Sequence, residues 1–181
     1  MKIIGICGSP RKGNTEWMMK RVLQIVGSSD IDTELILLRK QKIKGCTGCL
    51  KCEEGGEERT GYCKTNDAMR EILPELLEAD AIVLGTPVYF DMLSGLMKNF
   101  MDRTCPIWTK MEGKHAAGIA VAEESIGAAI DNIKTYASMC KMNWVGEVTA
   151  LAKEKEEVVG DIKASENINQ LAKKIVKAMK R

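Results

Sequence analysis

The chain is poor in aromatics, has one histidine and carries almost no net charge, and each shortage removes a class of function. Phe, Trp and Tyr make up 4% of 181 residues, so two aromatics side by side call for an explanation. The one histidine, His115, stands beside an apolar run and reads as structural, so no catalytic triad is assigned. A balance of 27 basic against 25 acidic residues leaves a net charge of +2, no footprint for nucleic acid. The cations Lys173, Lys174, Lys177, Lys180 and Arg181 follow helical spacing and read as a solvated helix face near a C-terminus. No stretch approaches the roughly 20 apolar residues of a membrane span. The opening apolar run is broken too soon by Gly8-Ser9-Pro10 to read as a secretory signal. These readings place the chain in the cytoplasm, where thiols stay reduced, as a single domain over residues 1–181.

Cysteine, by contrast, is plentiful. Four of the seven form Cys46-x-x-Cys49-x-x-Cys52-(x)10-Cys63. Two consecutive two-residue gaps bring three thiols to one centre, the arrangement a cubane iron–sulfur cluster uses. The acidic, glycine-containing stretch Glu53-Glu54-Gly55-Gly56-Glu57-Glu58 is flexible enough to fold back and bring in the fourth. Three readings stand side by side: a [4Fe–4S] cluster, a zinc staple, and redox-active thiols, since C-x-x-C is also a dithiol motif. Cys7, Cys105 and Cys140 read as small buried hydrophobes.

Strands and helices alternate along the rest. Short apolar, branched runs predict strands at 2–7, 33–38, 81–85, 116–122 and 145–150. Helical spacing predicts helices at 15–27, 68–77, 94–103, 126–140 and 166–180. Asp67 is placed to cap the second helix, and Pro74 to kink or end it. The cysteine-rich segment, at about 44–66, interrupts the rhythm as an insertion. Near-continuous apolar strands separated by helices imply an α/β fold, a parallel sheet covered on both faces.

Such a sheet binds ligands at the carboxyl ends of its strands, where the winding reverses. Two loops there stand out. Gly8-Ser9-Pro10-Arg11-Lys12-Gly13-Asn14-Thr15 leads from the first strand into the first helix, and its small residues and helix N-terminus suit a phosphate. A Walker A loop would need Lys where Asn14 stands, and Gly8 and Gly13 are misplaced for G-x-G-x-x-G. The second loop, Gly85-Thr86-Pro87-Val88-Tyr89-Phe90-Asp91-Met92-Leu93-Ser94-Gly95, sets Tyr89 and Phe90 together. They offer flat faces to a planar ring, or else cap the core or a subunit interface.

Together these motifs, the Asn66-Asp67 pair and the helix Ser94-Gly95-x-x-Lys98-Asn99-Phe100-x-Asp102-Arg103 resemble the flavodoxin-like NAD(P)H-dependent FMN reductases. Within them the chain is similar to the iron–sulfur flavoproteins, over nearly its whole length. The resemblance implies a flavodoxin-like three-layer sandwich, five parallel strands in the order 2-1-3-4-5, with FMN at the switch point. By position, Ser9, Arg11, Gly13, Asn14 and Thr15 would hold its phosphate, and Pro87, Val88, Tyr89 and Phe90 would lie beside the isoalloxazine. Glu123 and Ser125, in the loop Val121-Ala122-Glu123-Glu124-Ser125-Ile126-Gly127, complete the cofactor-binding set. Glu123 and Glu124 also read as first-turn acids of the following helix. Cys46, Cys49, Cys52 and Cys63 would be the ligands of a [4Fe–4S] cluster.

The activity so implied moves electrons from NAD(P)H or a reduced carrier through FMN to a small-molecule or protein acceptor, in a homodimer or homotetramer. The alternative is a non-enzymatic carrier exchanging electrons with ferredoxin. A third reading, a phosphate-ester hydrolase using Cys7 or Cys46, is weak, because neither is followed by Arg in a C-x5-R loop.

Overall fold

Apolar runs become five parallel strands, the inner three buried on both faces and the two edge strands partly exposed, in a computed structural model that describes residues 1–54 and 62–181. In chain order the elements are β1 (Lys2–Cys7), α1 (Asn14–Gly27), β2 (Asp32–Leu37), α2 (Met69–Glu78), β3 (Ala81–Tyr89), β4 (Met92–Leu93), α3 (Gly95–Arg103), β5 (His115–Ala122), α4 (Ala129–Met139), β6 (Asn143–Leu151) and α5 (Ile162–Met179). The sheet runs β2-β1-β3-β5-β6, the expected 2-1-3-4-5 order of parallel strands, with the two-residue β4 added antiparallel to β3.

Alternate strand residues feed two cores. Ile4, Ile6, Ile82 and Leu84 pack with α2, α3 and α4, while Ile3, Ala81 and Val83 pack with α1 and α5 on the other face. Each helix buries one apolar stripe; Met18, Met19, Val22 and Val26 of α1 have no exposed surface. Burying such side chains stabilises by about 1.5–3 kcal/mol apiece.

Four local expectations are corrected. The loop after the third strand is a hairpin: β3 runs on to Tyr89 and turns through Phe90 and Asp91 into β4, with Val88 opposite Leu93. Pairing with β1 ends at Gly85, so the strand carries Pro87 along a stretch where that neighbour has stopped. Pro74 does not end α2; it sits exposed within the helix, which runs on to Glu78. Helix α4 starts at Ala129 rather than 126, because Gly127 takes a left-handed φ of +49°. Glu123 and Glu124 are therefore loop residues and not first-turn acids. Finally, α5 begins earlier than expected, at Ile162, where Asp161 accepts from the Ala164 N–H at 3.0 Å. The proposed flexible stretch before Cys63 falls largely on residues 55–61, outside the described residues.

Candidate functional site

The loop after β1 enters α1 at Gly13, and among the described residues no side-chain cap hydrogen bond satisfies the first-turn N–H groups. Apart from its own chain neighbours, no atom of the described residues lies within 4 Å of where a Cβ on Gly13 would sit. Buried Ser9 shapes the loop: its Oγ donates to the Arg11 carbonyl at 2.7 Å and accepts from the Arg11 N–H at 3.3 Å. Thr15 is buried and Arg11 exposed. Asn14, expected at the phosphate, makes two bonds within the fold. Its Nδ2 donates to the Glu154 carbonyl at 2.8 Å and its Oδ1 accepts from the Val158 N–H at 3.4 Å. The side chain thus ties the loop to the segment between β6 and α5.

The β3–β4 hairpin is pinned against this loop. Ser94 caps α3 by accepting from the Met97 N–H, and its Oγ donates to the Gly8 carbonyl at 2.7 Å. Its own N–H donates to Thr86 Oγ1 at 2.9 Å, and the Gly8 N–H donates to the Gly85 carbonyl at 2.7 Å. A Cβ on Gly8 would stand 2.9 Å from Met97 Cβ, so only glycine permits this approach. Pro87 and Val88 are half-buried, while Tyr89 and Phe90 are exposed. Phe90 and Asp91 both hold positive φ, 50° and 60°, uncommon for residues with side chains. The Ala128 N–H donates to the Asp91 carbonyl at 2.7 Å, which brings the 123–128 loop onto the hairpin tip. In that loop Glu123 pairs with Lys153 at 3.1 Å, and Ser125 Oγ accepts from the Gly127 N–H. Three loops at strand carboxyl ends thus converge.

The cysteines surround a separate cavity of about 540 Å3, at the C-terminal ends of α3 and α4. Cys46, Cys49, Cys52, Cys63, Cys105 and Cys140 all line it, with Arg103 and Trp108. Its rim is held by a buried ion pair. Arg103 meets both carboxylate oxygens of Asp67, at 2.7 and 3.0 Å, and donates to the Lys44 carbonyl at 2.6 Å. Asp67 also accepts from the Lys44 and Met69 N–H groups. This one pair closes both ends of the cysteine-rich segment. Burial raises the Asp67 carboxyl, yet Arg103 and the two N–H groups outweigh it and hold it below the usual range. Asp67 is thus less a cap for α2 than the clamp of the insertion.

Each sulfur of the motif has its own neighbour. Cys46 Sγ accepts from the Gly48 N–H at 3.5 Å. The Lys51 N–H and the Thr47 hydroxyl hold the exposed Cys49 thiol below its ordinary value. Cys63 faces the Arg103 guanidinium, and Cys52 donates to Cys105 Sγ at 3.5 Å. Burial, then the Cys105 sulfur, push the Cys52 thiol up to about 11. Cys7 and Cys140 are buried as expected. Cys105 is not the expected buried hydrophobe: it is half-buried and meets the motif.

The donor set and the shared cavity suit a thiolate-bound centre, and Arg103 Nε is buried without a hydrogen-bond partner among the described residues. Still, among those residues no three His, Cys, Asp or Glu side chains are grouped closely enough to hold a metal ion. His115 opens β5, its Nδ1 likewise without a hydrogen-bond partner among the described residues, away from both sites.

Sheet order and converging loops define a flavodoxin-like protein. A flavodoxin from the domain Archaea has the same fold, with a TM-score of 0.68 over 100% of both chains at 21% identity. Residues 1–157 match the family described as NADPH-dependent FMN reductase. An iron–sulfur flavoprotein of Methanocaldococcus jannaschii is 40% identical over 123 residues, 67% of this chain and 61% of that one. Another, from Archaeoglobus fulgidus, is 33% identical over 141 residues, 74% of this chain and 70% of its own. The chain belongs to the NADPH-dependent FMN reductase family, in its iron–sulfur flavoprotein branch. It spans 61% of the Methanocaldococcus relative and 49% of a second Archaeoglobus one. Among the described residues, no helix is long and apolar enough to cross a membrane.

Proposed function

We propose that the protein is an FMN-dependent oxidoreductase that takes electrons from NAD(P)H and passes them to a small-molecule or protein acceptor. The observation that carries this reading is the N-terminus of α1, free of a side-chain cap, at the end of a loop whose Gly8 carbonyl Ser94 holds beside the β3–β4 hairpin. Ser9, Arg11, Gly13, Thr15 and the Asn14 backbone would hold the FMN phosphate, where N–H groups and the helix dipole favour an anion. Pro87, Val88, Tyr89 and Phe90 would flank the ring, with Glu123 and Ser125 at its edge. When bound, FMN supplies the two-electron exchange with a nicotinamide and the one-electron exchange with carriers. The pairing of Glu123 with Lys153 offsets negative charge beside that position. Exposed Tyr89 and Phe90 suit coverage by a second subunit, in a homodimer or homotetramer.

For the cysteine cavity, the reading best supported is a [4Fe–4S] centre on Cys46, Cys49, Cys52 and Cys63, with Arg103 as its fixed cation. Helix α3 joins the two sites: Ser94 caps its start at the FMN loops and Arg103 ends it at the cavity, roughly 13 Å on at 1.5 Å per residue. A carrier that exchanges electrons with ferredoxin, without a nicotinamide reaction, is the second reading, favoured by this same link.

The test is a visible spectrum and metal content of protein prepared without oxygen, followed by steady-state NADPH oxidation. Bound FMN with NADPH turnover supports the enzyme. FMN without turnover leaves the carrier, and no FMN overturns both. Iron with sulfide supports the cluster, and zinc makes the cysteines a staple.

A further inference from the structure

Cys52 and Cys105 stand 53 positions apart in sequence, yet their sulfurs are 3.5 Å apart. Cys52 lies on the short turn Lys51–Glu53, and Cys105 opens the turn Cys105–Met111 just past α3. Both are half-buried and line the same cavity, open enough for a small oxidant. The other motif sulfurs are engaged elsewhere: Cys46 with the Gly48 N–H, Cys49 with the Lys51 N–H, and Cys63 with Arg103. The nearer partners in sequence, across C-x-x-C, are therefore not the ones Cys52 faces.

We propose that Cys52 and Cys105 are a redox-active thiol pair, which a hydroperoxide converts to a disulfide. Cys105, whose sulfur accepts from the Cys52 S–H, attacks a peroxide oxygen as the thiolate and breaks the O–O bond, leaving a sulfenic acid and, with a proton, one water. The second thiol attacks that sulfur, forms the S–S bond and releases another water. Two thiols and one hydrogen peroxide give one disulfide and two waters; both sulfurs are oxidised and both peroxide oxygens reduced. The sulfurs need approach by only about 1.5 Å to reach bonding distance. The disulfide takes Cys52 out of the metal donor set, so oxidation closes the cavity to metal until a thiol reductant reopens it. This last consequence rests on the cluster reading; the pair itself does not.

The experiment treats the full chain, purified without oxygen and freed of metal by chelation, with hydrogen peroxide. Peptides are then mapped without reduction, and iron uptake is measured with and without dithiothreitol. The expected result is a peptide joining Cys52 to Cys105, a loss of two thiols, and reversal of both by dithiothreitol. Wild type should lose most of its iron uptake after peroxide, whereas Cys105→Ser should form no such cross-link and keep it. A Cys52 link to Cys46 or Cys49, or an absence of any disulfide in wild type, overturns the pair. The wild-type map needs no variant to fold. It also needs no iron uptake, so failure of the cluster reading is told apart from failure of this one.

Discussion

Ser94 Oγ donates to the Gly8 carbonyl at 2.7 Å while accepting the Met97 N–H at 3.2 Å, so one hydroxyl caps α3 and fixes the loop after β1. The two segments proposed to hold the phosphate and the ring of FMN are therefore positioned by a single buried side chain. Removing it orphans a carbonyl, at about 1–3 kcal/mol, and loses a cap, at about 1 kcal/mol. We expect Ser94→Ala to lower unfolding stability by about 2 kcal/mol in urea titrations and to weaken FMN retention. Lost stability with unchanged FMN affinity would show that the loops do not position each other for the cofactor.

Gly8 probes the same contact from the other side. Its missing Cβ would meet Met97 Cβ at 2.9 Å and Ser94 Oγ at 3.0 Å, neither the far end of a flexible chain. Overpacking of this kind costs about 1–3 kcal/mol. Gly8→Ala should lower the melting temperature and weaken FMN binding, as followed by thermal unfolding and flavin fluorescence.

The Asp67–Arg103 pair has both side chains almost fully buried, so losing one partner strands the other. Asp67→Asn is expected to cost about 3–5 kcal/mol and to loosen the cysteine-rich segment, read as faster proteolysis between 44 and 67. Because the folded carboxyl sits below its ordinary value, its contribution is fully present above about pH 4. It is lost as pH falls through the still lower folded value. Wild-type stability should thus decline more steeply than that of Asp67→Asn as pH drops below 4.

Phe90 is wholly exposed and held at a φ of +50°, a conformation that costs a bulky residue about 1–2 kcal/mol. Asn tolerates it better. Phe90→Asn should therefore raise the melting temperature of the isolated chain while weakening FMN binding or self-association; sedimentation and flavin titration separate these two effects. A variant no more stable than wild type would show that the tip carries no strain.

Asn14→Ala removes two side-chain bonds to the segment before α5, each worth about 1 kcal/mol. Stability should fall, while FMN affinity drops less than in Gly8→Ala, since the backbone N–H at Asn14 remains. A selective loss of FMN at unchanged stability would return the Asn14 side chain to the phosphate.

By itself the sequence determines the strands and helices and their succession along the chain, because an inner strand buried on both faces must be continuously apolar and a helix must repeat its stripe at 3.6 residues. The phosphate-type loop is legible for the same reason: strand end, small residues and helix start are neighbours in the chain. The hairpin at Tyr89 is not, since Pro87 and Phe90 are poor local signals for it and pairing with β4 decides it. Nor are the contacts that complete the two sites. Ser94 reaches Gly8 across 86 positions, Arg103 reaches Asp67 across 36, and Cys52 reaches Cys105 across 53. In sequence Asp67 reads as a helix cap and Cys105 as a small apolar residue, because no local window contains the partner. Only packing α3 and its following turn against the cysteine-rich segment brings those partners into bonding distance.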